Sequence, residues 1–344
     1  MKASIIGATG YTGAELLRIL AGHPEVELVS ITSESSTGSM INDIYPHLDK
    51  IYNEKLQSMD ELSAIAEKSD VLFIGLPHGH AMKICSTLKN HKTKVIDLGA
   101  DYRFHDTDVY EKWYKVGHTD KETKAVYGLC ELYRSKVKDA KVIANPGCYV
   151  TASILALVPL IKNGLIDTKS IIVDAKSGVT GAGRTLAIGS HFPEVFGSFR
   201  AYGVGSHRHT PEIEMVYSDF AGEDVVISFT PHLLPIDRGI LATCYADMKK
   251  GVSSEEIKSA YQDMYKDEYF IRLLDEGKLP ATKHVRGSNF VDIAWQLDER
   301  TGRLIALSVL DNLVKGASGQ AVQNMNIMFG IPEKTGLETV PLYP

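Results

Sequence analysis

Cys148 lies in the run Asn145, Pro146, Gly147, Cys148, Tyr149, between the end of an apolar strand and the start of a helix. A thiol at a helix N-terminus has its thiolate stabilised by the macrodipole and by backbone N–H groups, which makes it nucleophilic near neutral pH. The same N–H groups can hold an oxyanion. The alternative is a buried structural cysteine, a reading that suits Cys85 in its helical run and Cys244 in its strand. Cys130, near a loop, is uninformative. A cysteine nucleophile needs an acid or base, and the densest candidate is Ser206, His207, Arg208, His209, Thr210, Pro211, Glu212. With Thr210 as a cap, Pro211 at the first helical position and Glu212 and Glu214 in the first turn, His207 and His209 fall on the entering loop. The choice between the two imidazoles stays open. Histidines at i and i+2 can also ligate a metal, but no third ligand is evident and no metal is expected.

Two glycine-rich turns suit phosphates. Gly7, Ala8, Thr9, Gly10, Tyr11, Thr12 and Gly13 follow the first apolar run and lead into a helical stretch. Such a turn lets backbone N–H groups approach a pyrophosphate, although glycine turns after strands also serve as simple tight connections. About twenty residues on stand Ser33, Glu34, Ser35, Ser36 and Thr37, where a dinucleotide fold chooses between cofactors. Hydroxyls favour a ribose 2′-phosphate and an inward Glu34 would repel it, so these residues leave the choice open. The second turn is Ser177, Gly178, Val179, Thr180, Gly181, Ala182, Gly183, Arg184. Arg103 follows another strand, where its fork could bind an acyl phosphate or pair with Asp101 at the surface.

The elements that must carry these residues are legible in outline. Over residues 1–145, apolar runs at 3–6, 27–31, 71–74, 95–98 and 142–144 alternate with helical periods, the pattern of a parallel sheet wrapped by helices. A helix is predicted over 149–163, closed by Gly164. Longer runs at 170–175, 225–230, 240–247, 291–297 and 304–310 predict a second sheet domain. A helix opened by Ser253 or Ser254, with Ile257, Tyr261 and Met264 on one face, would cover it. Residues 316–329 form a closing helix that could return to the first domain.

The chain has 344 residues, 44% hydrophobic and 23% charged, enough for one large or two ordinary domains. With 37 Lys plus Arg against 43 Asp plus Glu, the net charge of −6 argues against nucleic acid as a partner. No apolar span suits a bilayer and no leader is expected, so the expected location is the cytoplasm, with four reduced thiols.

Taken in order, residues 7–13, 45–48, 76–79, 97–104, 145–151, 177–184, 202–213 and 311–316 resemble the N-acetyl-gamma-glutamyl-phosphate reductase family of arginine biosynthesis. That family is related to aspartate-semialdehyde and glyceraldehyde-phosphate dehydrogenases. The resemblance implies an α/β fold, with a Rossmann dinucleotide-binding domain (1–148 and 317–344) and an α+β mixed-sheet substrate and oligomerisation domain (149–316). It implies Cys148 as nucleophile and His207 as acid–base residue. NADP contacts are implied at Gly7, Thr9, Gly10, Tyr11, Thr12, Gly13, Ser33, Ser35, Ser36, Gly178, Gly181, Gly183 and Asn312. Arg103, Asn145 and Arg208 are the implied substrate ligands. The implied reaction is NADPH-dependent reduction of N-acetyl-gamma-glutamyl phosphate to the 5-semialdehyde, with release of phosphate, through a Cys148 thioester. The expected partners are this small acyl phosphate and further copies of the chain, as a homodimer or homotetramer. Alternatives are the same chemistry on aspartyl phosphate or carrier-linked aminoadipyl phosphate, a cysteine hydrolase or acyltransferase without redox, and a silent nucleotide-binding regulator.

Overall fold

The computed structural model describes residues 1–343 and divides into two compact units. The first comprises Met1–Pro146 and Ala317–Glu338. Its strands are β1 (Lys2–Ile6), β2 (Glu27–Thr32), β3 (Val71–Ile74), β4 (Lys94–Asp97), β5 (Ala125–Tyr127) and β6 (Val142–Ala144). Its helices are α1 (Tyr11–Ala21), α2 (Ile41–Ile44), α3 (Leu62–Lys68), α4 (Ala81–Thr87), α5 (Thr107–Tyr114) and α6 (Cys130–Lys138). All strand pairs are parallel, in the order β2-β1-β3-β4-β6-β5. Ile5, Ile6 and all four residues of β3 are buried, as strands covered on both faces require. The chain leaves β2 on one side of β1 and re-enters at β3 on the other, which puts the crevice of an open α/β sheet beyond the carboxyl end of β1.

The second unit runs from Gly147 to Gly316 and includes residues 339–343. It opens with α7 (Cys148–Lys162), buried without interruption from Tyr149 to Ile161 and ended by Gly164 at φ +64°. Then follow β7 (Ile172–Gly178), α8 (Phe192–Val195), β8 (Arg200–Ala201), α9 (Thr210–Ala221), β9 (Ser228–Leu234), β10 (Ile240–Asp247), α10 (Ser254–Tyr265), β11 (Ile271–Leu273), β12 (Val291–Asp298) and β13 (Arg303–Leu310). The seven strands form one mixed sheet, β11-β12-β13-β10-β7-β9-β8. α7 lies on β10 and β13, with α9 and α10 beside it. Pro159 within α7 has no N–H for the Leu155 carbonyl four residues back. The Tyr265 hydroxyl donates to that carbonyl instead at 2.8 Å, so α10 repairs the gap. α10 itself starts at Ser253, one of the two residues expected to open it, whose side chain accepts the Glu256 N–H.

After β13 the chain makes one wide turn, Val314–Ser318, and enters α11 (Gly319–Met328), which belongs to the first unit. Several expectations need correction. The first unit stops at Pro146, not at 148, so Cys148 belongs to the second; residues 339–343 also group with the second unit rather than the first, and residue 344 lies outside the described residues. β9 begins at Ser228 and continues through Pro231, past the expected 225–230; the two-residue strand β8 beside it leaves β9 close to a sheet edge, where proline is tolerated. Thr210 does not cap α9. His209 holds that position, Thr210 and Pro211 begin the helix, and the Thr210 hydroxyl is buried without a hydrogen-bond partner among the described residues. β5, β8 and β11, each two or three residues long, carry too little period to be read from the sequence.

Candidate active site

In the second unit the site grows from the start of α7. Gly147, extended at φ −71° and ψ 150°, occupies the cap position without any side-chain cap, and the first N–H returned to it is that of Thr151. A helix start of this kind favours an anion through its N–H ends and its dipole. Cys148 is the first helical residue and is half-buried. The other three thiols are buried. Burial pushes Cys85 and Cys244 up to about 12, which leaves both as inert thiols at neutral pH.

The entry to α9 lies against this turn. A Cβ added to Gly147 would stand 2.5 Å from His209 Nε2, so that imidazole lies directly on the residue before the cysteine. His207 stacks edge-on to His209 at 4.8 Å, to Tyr149 at 5.7 Å, to Tyr202 at 5.4 Å and to Phe229 at 5.3 Å. Its Nδ1 accepts the His209 backbone N–H, which leaves the ring proton on Nε2. Burial, and then the charge of Arg208, push His207 down to about 4, so the ring is neutral. Arg208 is exposed beside it. The Tyr202 hydroxyl donates to that of Tyr149, which donates to the His232 carbonyl. Against the other side of the cysteine lies the wide turn after β13: a Cβ on Gly316 would stand 2.8 Å from Cys148 Cβ.

Sequence reasoning passed over Glu212. It is fully buried in the first turn of α9, and its Oε1 accepts the Gly147 N–H at 3.0 Å. The signal was available: residues 212, 213, 216 and 217 form the buried stripe of α9, and a carboxylate on such a stripe needs a partner.

In the second glycine turn, a Cβ on Gly178 would meet the Asp237 carbonyl at 2.7 Å, and Gly183 has φ +83°. Gly181 and Gly183 are exposed. Asn312, expected to touch cofactor, is buried: its Oδ1 accepts the Gly239 N–H and its Nδ2 donates to Thr180 Oγ1. Its side chain thereby shapes the turn.

In the first unit, Gly7 has φ +87°, and a Cβ there would stand 2.7 Å from the Gly75 carbonyl. Gly13 would meet Ala8 O at 2.5 Å. Gly10 caps α1 without a side-chain cap hydrogen bond, and a Cβ added there would meet nothing within 4 Å. A pyrophosphate therefore has an open, donor-lined helix start to approach. Thr9 Oγ1 and Ser33 Oγ lie 3.0 Å apart, Tyr11, Thr12 and Ser36 are half-buried, and Glu34 and Ser35 are exposed. The Asn145 side chain is buried, donating to Ala317 O and accepting from Asn324 Nδ2, so it ties strand β6 to α11. Arg103 is also buried, and it donates to Leu98 O. Asp101 is buried rather than at the surface, and its carboxylate accepts from the Gly79 and Ala81 N–H groups and the Tyr110 hydroxyl.

Known proteins define the class. Residues 2–140 match the NAD binding domain of semialdehyde dehydrogenases and residues 148–312 their dimerisation domain. Solved structures share the fold: aspartate semialdehyde dehydrogenase II of Vibrio cholerae superposes with TM-score 0.72 at 16% identity, over 96% of this chain and 98% of that one. The NADP complex of the Candida albicans enzyme gives 0.67 at 16% identity, over 95% and 98%. The sequence relatives are narrower. The N-acetyl-gamma-glutamyl-phosphate reductase of Pelotomaculum thermopropionicum is 55% identical over 100% of this chain and 99% of its own length. That of Desulforudis audaxviator is 51% identical over the whole of both chains. This chain belongs to the N-acetyl-gamma-glutamyl-phosphate reductase family.

Proposed function

We propose that the chain reduces N-acetyl-gamma-glutamyl phosphate to N-acetylglutamate 5-semialdehyde with NADPH, releasing phosphate, as its relatives' name describes. The observation that carries this is Cys148, the half-buried first residue of a helix whose opening turn has no side-chain cap and is overlain by a histidine pair. The Cys148 thiolate attacks the acyl carbon, and the carbonyl oxygen collects negative charge against the N–H groups of the first turn of α7. Collapse expels phosphate and leaves a thioester on Cys148. NADPH, when bound, supplies hydride. The Nε2–H of His207 hydrogen-bonds to the oxyanion that hydride addition creates at the thioester carbon, and collapse of that oxyanion re-forms the C=O bond of the aldehyde and breaks the C–S bond, releasing Cys148 as thiolate. A phosphate dianion brought beside His207 and Arg208 raises the imidazole from its depressed value, which readies it as a proton donor.

The first unit fits the dinucleotide. Gly7 and Gly13 have no room for a side chain, Gly10 opens α1 to a pyrophosphate, and the hydroxyls of Thr9, Ser33, Ser35 and Ser36 suit a 2′-phosphate, while exposed Glu34 can stay in water. Gly178, Gly181 and Gly183 suit the same ligand, with Asn312 holding their turn. Arg208 and Arg103 are the candidates for the substrate phosphate; Arg103 uses Nη2 alone for its bond to the Leu98 carbonyl. The second unit bears exposed Leu186, Ile188, Phe192, Phe196 and Phe199, which fits a homodimer or homotetramer. A cytoplasmic setting fits the reduced thiol that the chemistry needs.

The test runs the reaction backwards. Phosphate-dependent NADP reduction is measured with N-acetylglutamate semialdehyde, aspartate semialdehyde and aminoadipate semialdehyde. The first should be preferred, and Cys148→Ser should lose at least about 10³-fold in kcat while binding NADPH as before. Equal rates for that variant and the parent would remove the covalent step; preference for another aldehyde would move the substrate.

A further inference from the structure

We propose that Tyr45 is a positioning residue for the dinucleotide: its hydroxyl holds the Thr9 carbonyl back from the pyrophosphate and so turns the Gly10 N–H towards it. The inference rests on the reading of the first unit as the NADPH site and adds to it a residue outside the glycine turn.

Peptide groups are planar and trans, so a carbonyl and the N–H that follows it point in opposite directions. The Tyr45 hydroxyl donates to the Thr9 carbonyl at 2.8 Å and comes within 3.4 Å of the Gly10 carbonyl. The Gly10 carbonyl also accepts the Ala14 N–H at 2.9 Å, so it points down the axis of α1, as helical carbonyls do. Tyr45 therefore reaches the turn from the body of the helix, and the Gly10 N–H looks the other way, towards the open end of α1. That end favours an anion through its N–H groups and its dipole. A Thr9 carbonyl released from Tyr45 would be free to swing round and set its oxygen against the phosphate, repelling it. Thr9 Oγ1 lies 3.0 Å from Ser33 Oγ, so the residue is held by its side chain as well as by its carbonyl.

The segment that carries Tyr45 is built to fix it. Ile41 at the start of α2 is fully buried, and the Tyr45 N–H closes on the Ile41 carbonyl at 2.9 Å. Leu48, also buried, returns its N–H to the Tyr45 carbonyl at 2.9 Å. Both main-chain groups of Tyr45 are thus tied to buried anchors, and its ring meets His47 edge-on at 5.8 Å. Further along, Tyr52 reaches α1 in the same manner, its hydroxyl donating to the Leu17 carbonyl at 2.9 Å. The two tyrosines differ in place. Tyr52 is buried and braces the middle of the helix, whereas half-buried Tyr45 acts on the peptide beside the ligand. Thr9 is half-buried too, so water can take over its carbonyl when the hydroxyl is removed. The loss then costs little in folding and shows in binding, where the peptide has to be set in advance.

Tyr45→Phe and, as its control, Tyr52→Phe each keep the ring and remove one hydroxyl. Binding of NADPH, 2′-phospho-ADP-ribose and adenosine 2′-monophosphate to the full chain is measured by calorimetry and by competition, beside urea unfolding without ligand. Tyr45→Phe should weaken NADPH and 2′-phospho-ADP-ribose about five- to tenfold and keep the parent's urea midpoint. Adenosine 2′-monophosphate, which has no pyrophosphate, should stay within about twofold. In phosphate-dependent turnover, KM for NADP should rise by the same factor as the NADPH affinity falls, with kcat within about twofold. Tyr52→Phe should do the reverse, lowering the midpoint and leaving the three affinities alone. Parent-like NADPH affinity in Tyr45→Phe overturns the proposal, as does an equal loss for adenosine 2′-monophosphate, which would mean that the whole nucleotide lobe had moved. A parent that binds no NADPH sinks the cofactor reading and this inference together, whereas a parent that binds it no better than Tyr45→Phe does sinks the inference alone.

Discussion

Of the four thiols, only Cys148 combines partial exposure with a helix start, and this much could be read from Asn145–Thr151 as a string, because capping and helix entry are local properties. What holds the thiol in place was not local. Gly316 comes 168 positions later in the chain, yet it leaves room for nothing larger, since an added Cβ would stand 2.8 Å from Cys148 Cβ and 3.3 Å from Leu310 Cδ1. Gly316→Ala should therefore push the cysteine out of line. The expected cost is about 1–3 kcal/mol of overpacking strain together with a fall of about tenfold or more in kcat, read by urea unfolding and by steady-state rates on the same preparation. A variant as fast as the parent would mean that the turn yields before the cysteine does. Glu212, and the backbone ties of Asn145 and Asn312, went unseen for the same reason. A polar residue looks alike in sequence whether it faces a ligand or fastens a backbone, and only its partners tell the two apart.

Elements with a strong period came through: the strands at 71–74, 142–144 and 240–247 stand where the apolar runs put them, and the Ser253 box opens α10. Helix α11 was expected as a helix, but its interior was not. It buries Gln320, Gln323, Asn324 and Asn326 along with its apolar residues, so its fit depends on partners rather than on area alone. Asn324 Nδ2 donates to Gly128 O at 2.8 Å and to Asn145 Oδ1 at 3.1 Å, while Gln320 Nε2 donates to Gly128 O at 2.9 Å. The network ends on Asn145, three residues before the nucleophile. Asn324→Ala strips two buried acceptors of a donor and leaves a small void, which should cost about 2–4 kcal/mol. It should also slow the enzyme more than a destabilising change far from β6. Unfolding free energy and kcat, set against a matched core variant such as Ile257→Val, would test this; a rate loss no larger than the control's would confine Asn324 to stability.

At the scale of the whole molecule, half-buried His207 and buried Asp97 have effects on stability that run in opposite directions with pH. His207, pushed down to about 4 by burial and then by Arg208, binds fewer protons folded than unfolded between about pH 4 and 6.5. Stability from this group alone therefore rises with pH across that window, by up to about 3 kcal/mol less what its open edge recovers from water. Asp97, at the end of β4, is pushed up to about 7 by burial and then by the charge of Asp101, against the pull of the Gly99 N–H and Arg103; its Oδ2 has no hydrogen-bond partner among the described residues. It binds more protons folded than unfolded between about pH 4 and 7, so its contribution falls as pH rises, by at most about 4 kcal/mol. In the parent the two slopes largely cancel up to about pH 6.5, and only the Asp97 decline continues beyond it. Each should be exposed by removing the other. His207→Asn should show stability falling steadily from about pH 4.5 to 7, whereas Asp97→Asn should show it rising to about pH 6.5 and then levelling. Denaturant unfolding at half-unit pH steps gives both curves. If the His207→Asn curve runs parallel to the parent's, that imidazole titrates like a solvated one, and the neutral Nε2–H donor assigned to the resting site is lost with it.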